Sequence, residues 1–201
     1  MKIVIIKYNA GNIQSVKYAL ERIGVNPIIT DDPEIIKSAD KVIFPGVGEA
    51  SSAMNYLTSK GLDKVIKSLT QPVLGICIGL QLMCEYSEEG DTTCLGIFPV
   101  KVRRFDSGIV INEELLKIPH MGWNKVDLGR SKLFKDISTL PYVYYVHSYR
   151  ADLDSEYTIA TSNYTTDYSA ALQKDNFYAV QFHPEKSSNI GQQILTNFIN
   201  L

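Results

Sequence analysis

A chain of 201 residues with 45% hydrophobic and 21% charged side chains has enough apolar surface to fold around its own core. Intrinsic disorder and dependence on a disulfide or metal staple are thereby excluded. Basic and acidic side chains number 20 and 22, and the net charge of −2 argues against nucleic acid or an anionic membrane as a general partner. Three cysteines without regular spacing, no apolar run near the ~20 residues of a membrane span and no signal-peptide pattern point to a reducing, cytoplasmic setting.

In chain order, residues 2–8 read as a buried strand. Asn12 then caps a helix with Ile13, Val16, Leu20 and Ile23 on one side, and Gly24 stops it. Strands follow at 27–30, 41–44 and 72–76, interleaved with helices at 33–39, 50–59, 62–69 and 78–86. Such alternation predicts right-handed crossovers and a mainly parallel sheet covered on both faces. The second half is β-rich, with strands expected at 100–105, 142–151, 157–163, 169–173 and 177–182 and a hairpin turn at Asp175-Asn176. An amphipathic helix over 189–200, with Ile190, Ile194, Leu195 and Phe198 inward, closes the chain. No repeat or linker divides it, so the expectation is one mixed α/β domain over residues 1–201.

The most informative stretch is Gly75-Ile-Cys-Ile-Gly79, where a strand runs directly into a helix. This is the pattern of a nucleophile elbow with Cys77 at the turn. The glycines allow a sharp turn, the helix N-terminus favours a thiolate, and the Ile78 N–H can face an oxyanion. A tight turn around a buried structural cysteine is the alternative. A thiolate nucleophile needs an imidazole, and the imidazole an orienting group. Of the three histidines, His183 lies in Gln181-Phe-His-Pro-Glu185, where residues two apart in extended chain share a face. His183 and Glu185 can therefore point the same way, with Pro184 preventing regular ladder bonding; a solvated strand end with incidental polar residues is the alternative. Pro45-Gly-Val-Gly48 follows the third strand, where backbone N–H groups can turn to a ligand. Beside Cys77 it reads as the second half of an oxyanion hole; a plain loop is the alternative.

With these motifs in place, the chain resembles the class I, triad-type glutamine amidotransferases. Within them it is most similar to the glutaminase subunits of imidazole glycerol phosphate synthase. The resemblance rests on Tyr8…Gly11-Asn12…Ser15, Pro45-Gly-Val-Gly48, Gly75-Ile-Cys-Ile-Gly-Leu-Gln81, Pro119-His-Met-Gly-Trp-Asn124, Tyr145-Val-His-Ser-Tyr149 and Gln181-Phe-His-Pro-Glu-Lys-Ser187. It implies a class I glutamine amidotransferase fold with Cys77, His183 and Glu185 as a catalytic triad hydrolysing glutamine to glutamate and ammonia. It further implies Val47 and Ile78 as oxyanion N–H donors and Gly46, Gly48, Gln81, Ser148 and Tyr149 as the glutamine site. No metal or other cofactor is implied. The implied partner is a (β/α)8 synthase subunit, contacted through Asn9, Asn12 and Trp123, which receives the ammonia and forms imidazole glycerol phosphate and AICAR. Lys7, Asn9 and Arg150 depart from the usual family pattern. They leave open a paralogous glutaminase serving another acceptor such as a surface sugar. A cysteine peptidase of similar elbow architecture is a further alternative, though it would have no use for Gln81, Ser148 and Tyr149.

The remaining candidates read as structural. Cys84 is expected two turns along the Cys77 helix, in the core, and Cys94 before a strand. Arg103-Arg104 reads as a solvated edge and Tyr144 and Tyr145 as packing residues. His120 and His147 read as interface or substrate-pocket residues rather than catalytic ones.

Overall fold

The computed structural model describes residues 1–8, 12–111, 114–138 and 140–201. The first half follows the expected alternation. Strands β1 (Ile3–Ile6), β2 (Ile28–Thr30), β3 (Lys41–Phe44) and β4 (Val73–Ile76) lie side by side in the order β2-β1-β3-β4, all parallel. Helices α1 (Ile13–Arg22), α2 (Pro33–Lys37), α3 (Ala50–Ser59) and α4 (Leu62–Lys67) connect them. Every residue of β1, β3 and β4 is buried, as strands covered on both faces require. The period of two divides β1 between two cores. Val4 and Ile6 join Phe44, Leu57, Ile66 and Leu80 on one face; Ile3 and Ile5 join Leu20, Ile43, Leu195 and Phe198 on the other.

Helix ends follow local chemistry. Asp32 accepts from the N–H groups of Glu34 (2.8 Å) and Ile35 (3.2 Å) ahead of α2, with Pro33 in its first turn. Gly24 adopts φ +80° after α1 and donates to the Glu21 carbonyl while Val25 donates to Leu20, a Schellman closure. Asn12 stands at the cap position of α1 but makes no side-chain cap, because its amide is engaged elsewhere.

After α5 (Ile78–Met83) the structure departs from expectation. Residues 84–86 are not helical: Cys84 opens β5 (Cys84–Ser87). The cause is non-local. The returning chain donates from Leu95, Ile97 and Gly96 to the carbonyls of Leu82, Met83 and Cys84, leaving those carbonyls no helical partner. Cys84 is buried as expected, but in a strand.

The chain continues through β6 (Thr92–Thr93), β7 (Phe98–Arg104), β8 (Val110–Ile111), β9 (Glu114–Leu115), β10 (His120–Lys125), β11 (Asp127–Leu128) and a 3-10 turn at Lys132–Phe134. The expected strand over 142–151 is two strands, β12 (Tyr142–His147) and β13 (Tyr149–Ala151). β12 pairs with β10 as a separate antiparallel ribbon, whereas β13 joins β7 in the main sheet. The chain changes sheets at Ser148, whose carbonyl accepts from Phe105 at 3.0 Å. β14 (Thr158–Asn163), β15 (Asp167–Lys174), β16 (Phe177–Val180) and α6 (Ser188–Ile199) complete the chain. Lys174 pairs with Phe177 across the hairpin expected at Asp175-Asn176, where Asp175 takes φ +51°. β16 returns into the sheet parallel to β4 and antiparallel to β15, which brings the 181–187 segment beside Cys77. The twelve-stranded sheet is thus parallel at its centre, with an antiparallel wing. Among the described residues no helix is long and apolar enough to cross a membrane.

Candidate active site

Cys77 sits where β4 turns into α5, at φ +55° and ψ −107°, a conformation that L side chains rarely hold. Its N–H donates to the Val180 carbonyl (2.8 Å), and its carbonyl accepts from Leu80 (3.0 Å) and Gln81 (3.3 Å). The turn is therefore fixed by the β16 strand on one side and by the first helical bonds on the other. Gly79 is required sterically, since a Cβ there would lie 2.0 Å from the Phe44 carbonyl oxygen. That approach seats α5 directly on β3, and the Ile78 N–H, first in the helix, has no preceding turn to bond.

His183 is fully buried after β16, its N–H held by the Tyr144 carbonyl at 2.9 Å. Its Nδ1 donates to Glu185 Oε1 at 2.7 Å. The two meet across a 3-10 turn, Pro184–Lys186, rather than along an extended strand; this corrects the expected geometry while preserving the pair. Ser187 holds the turn by donating to the His183 carbonyl (2.7 Å) and accepting from the Tyr144 N–H (2.9 Å). Gly191 of α6 presses on it so closely that a Cβ would lie 1.8 Å from the Pro184 carbonyl oxygen. Among the described residues nothing hydrogen-bonds to His183 Nε2 or Glu185 Oε2.

Burial alone would drive the His183 ring toward its neutral form. The nearness of Cys77 and the Glu185 carboxylate bonded at Nδ1 outweigh it, and His183 is raised to about 10. Burial pushes the Cys94 thiol up to about 12 and the Cys84 thiol well above the ordinary thiol value. The nearby Tyr8 phenol is likewise held protonated, by burial and then by Cys77.

A cavity of ≈ 250 Å³ opens beside Cys77. Its lining includes Val47, Gly48, Ile78, Gln81, Glu89, Val146, Ser148 and Tyr149. Gly48 takes φ +132°, which turns the loop toward the cavity. Gln81 is tied down: its Nε2 donates to the Tyr149 carbonyl and to Gln181 Oε1, both at 3.0 Å. Gln181 in turn points Nε2 at Cys77 Sγ, 3.7 Å away. Glu89 accepts from the Ala50 N–H at 2.8 Å, and burial raises its carboxyl above the usual range.

The profile of the family described as Glutamine amidotransferase class-I matches residues 4–201. The chain belongs to the class-I glutamine amidotransferase family. An imidazole glycerol phosphate synthase subunit HisH from Bacteroides fragilis is 56% identical over 201 residues, covering all of both chains. The protein of the same name from Shewanella oneidensis is 45% identical, with 99% of this chain and 96% of that one covered. Solved structures share the fold at much lower identity. PurLQS from Thermotoga maritima superposes with a TM-score of 0.71 at 15% identity, covering 99% of this chain and 97% of that one. A glutamine amidotransferase from the same organism gives 0.65 at 16%, with 100% and 83% covered. The family and mixed α/β fold read from the motifs are borne out.

Against this class-I glutamine amidotransferase frame, Val47, Gly48, Ile78, Gln81, Ser148 and Tyr149 all line the cavity with Cys77. Gly46 does not; its lack of a side chain makes room for Tyr8, whose hydroxyl would lie 1.9 Å from a Cβ there. Asn12 is placed at the His183–Glu185 pair, its Nδ2 donating to Glu185 Oε1 and standing 3.4 Å from His183 Nδ1. Trp123 is exposed on β10, edge-on to Tyr144. Asn9 lies outside the described residues. Arg103 is not simply a solvated edge: it reaches Asp152 (2.7 Å) and Glu88 (3.3 Å), and Arg150 shares Asp152. Sequence reasoning missed Glu89 and Gln181. Glu89 is hidden in an acidic run, and nothing in the letters separates it from Glu88; Gln181 was read only as part of the His183 motif. Among the described residues no cluster of three His, Cys, Asp or Glu could hold a metal ion.

Proposed function

We propose that this chain is the glutaminase subunit of an imidazole glycerol phosphate synthase in histidine biosynthesis. In this reading residues 1–201 act as one glutamine amidotransferase domain in the cytoplasm. It forms a heterodimer with a (β/α)8 synthase subunit that turns the ammonia into imidazole glycerol phosphate and AICAR. The observation that carries the reading is Cys77 at the wall of a small cavity and beside a buried His183–Glu185 pair. The full-length likeness to proteins named as HisH subunits gives the pathway.

Cys77 Sγ attacks the side-chain amide carbon of glutamine. The developing oxyanion takes hydrogen bonds from the Ile78 and Val47 N–H groups. His183 delivers its proton to the departing nitrogen, ammonia leaves, and a γ-glutamyl thioester remains on Cys77. Water, deprotonated by His183, then cleaves the thioester to glutamate and restores the thiolate. Glu185 keeps Nδ1 of the ring protonated and Nε2 directed at the chemistry, and Asn12 steadies Glu185. Gln81, Ser148, Tyr149, Gly48 and Glu89 hold the substrate. Glu89 is the carboxylate placed to take its α-ammonium, which gives the cavity a reason to prefer a free amino acid over a peptide. Ammonia released into water at neutral pH would be protonated and lose its nucleophilicity, so it passes directly to the partner past the exposed Trp123 ribbon.

The test is glutamate release from glutamine by the chain alone, with a cognate (β/α)8 synthase, and with that synthase plus its ribonucleotide substrate. The expected result is stimulation by partner and ligand and loss of about three orders of magnitude or more in Cys77→Ala. Labelling of Cys77 by an electrophilic glutamine analogue without any stimulation by the synthase would keep the glutaminase and discard the pathway.

A further inference from the structure

The triad leaves two of the three histidines unused, and both are buried together under the cavity wall. His147 ends β12 and lines the cavity; His120 begins β10 directly opposite it in the ribbon register. With both rings neutral their hydrogen bonds admit a single assignment, the Tyr168 hydroxyl 3.5 Å from His120 Nδ1 being then a second, longer acceptor of the same proton. The Tyr149 carbonyl can only accept, so His147 Nδ1, 2.8 Å away, carries the proton. In the neutral ring Nε2 is then an acceptor, and its neighbour at 3.2 Å, His120 Nδ1, must be the donor. His120 Nε2 is left as an acceptor for Asn124 Nδ2 at 3.3 Å. The orientation of Asn124 is fixed independently, because Nδ2 also donates to the Asn163 carbonyl (2.8 Å) and Oδ1 accepts from the Lys125 N–H (2.8 Å). His120 is stacked between Tyr164 (centroids 4.0 Å, planes 16° apart) and Tyr145 (4.8 Å, 23°), and Phe105 closes both rings edge-on or tilted. The Tyr149 carbonyl at the other end also accepts from Gln81, the residue that reaches through Gln181 toward Cys77.

We propose that His147 and His120 are positioning residues: a tautomer-locked imidazole pair that holds the Ser148–Tyr149 wall of the cavity and ties it to the exposed ribbon bearing Trp123. The cavity's role as the glutamine site is taken from the reading above. At the sheet change the Ser148 carbonyl accepts from Phe105 and Tyr149 pairs with Arg104, while the Tyr149 carbonyl is held by the side chains of His147 and Gln81. The titratable groups facing the pair are the Tyr145, Tyr164 and Tyr168 phenols and, across the cavity, His183; among the described residues no carboxylate bonds to either ring. Burial accordingly keeps both rings neutral, His120 lowered to about 4 and His147 to about 3.

The direct test is a long-range 1H–15N spectrum of the 15N-histidine-labelled protein between pH 5.5 and 8. Two rings should appear as neutral Nδ1–H tautomers that do not titrate, with His183 apart from them. Either ring in the Nε2–H form, or titrating near 6.5, overturns the pair. The functional arm measures how much glutamine protects Cys77 from iodoacetamide. His147→Leu should raise the half-protecting concentration about tenfold or more, the range expected when a buried carbonyl loses its donor. His147→Asn, whose amide nitrogen can replace Nδ1, should recover to within about threefold of wild type. Wild-type protection in His147→Leu refutes the positioning role. No protection in the wild type at any glutamine concentration refutes the glutaminase reading instead, while the tautomer spectrum still decides the pair.

Discussion

Two groups of histidines, His183 and the His120–His147 pair, are both hidden from water and opposite in behaviour. His183 is raised to about 10, His120 and His147 are lowered to about 4 and 3. Burial disfavours the charged ring in all three, so burial is not what separates them. His183 faces a carboxylate at 2.7 Å and the charge of Cys77; the other two face phenols, a phenylalanine, a carbonyl and each other. The partner decides whether a buried imidazole is a proton carrier or a fixed strut.

The largest effects should come from breaking the charged side. His183→Ala should reduce glutamate release by about three orders of magnitude or more, measured with the synthase and its ligand present. Glu185→Gln should cost somewhat less, about a hundredfold to a thousandfold, because the ring is retained but loses the carboxylate charge that holds its Nδ1 proton. Next comes the scaffold. Gly191→Ala forces a Cβ onto the Pro184 carbonyl and should destabilise by about 2 kcal/mol or more in denaturant unfolding, moving the His183–Glu185 turn as it does so.

Smaller and of opposite sign are the pH effects. A histidine raised in the folded state stabilises fully below its unfolded value of 6.5, and the contribution fades as pH climbs toward about 10. A lowered one stabilises above 6.5, and the contribution is lost as pH falls toward 4 and 3. Unfolding curves should therefore show His183→Gln losing its deficit relative to wild type on the alkaline side. His120→Phe should resist acid better than wild type, relative to each protein's own stability at pH 7. If both variants track wild type at every pH, the contrast between the two groups is wrong. The smallest effect is Trp123→Ala, an exposed side chain, which should change stability by about 0.5 kcal/mol or less while lowering stimulation by the synthase.

The sequence by itself determined the alternation of strands and helices, the elbow at Cys77, the pairing of His183 with Glu185 and the family. These depend on neighbours along the chain: burial patterns of β1, β3 and β4, caps at Asp32 and Gly24, glycines flanking a nucleophile. Tertiary structure decided the rest. Residues 84–86 left the helix because residues 95–97 claimed the carbonyls of Leu82, Met83 and Cys84, and the strand at 142–151 broke because its two halves found different sheets. Asn12 came to bond Glu185 because β16 carried residues 183–185 to it from the far end of the chain. Glu89 and the His120–His147 pair owe their places to the same long-range returns. A hydrogen-bonding group takes whichever partner folding brings within about 3 Å, and that partner is not written beside it in the chain.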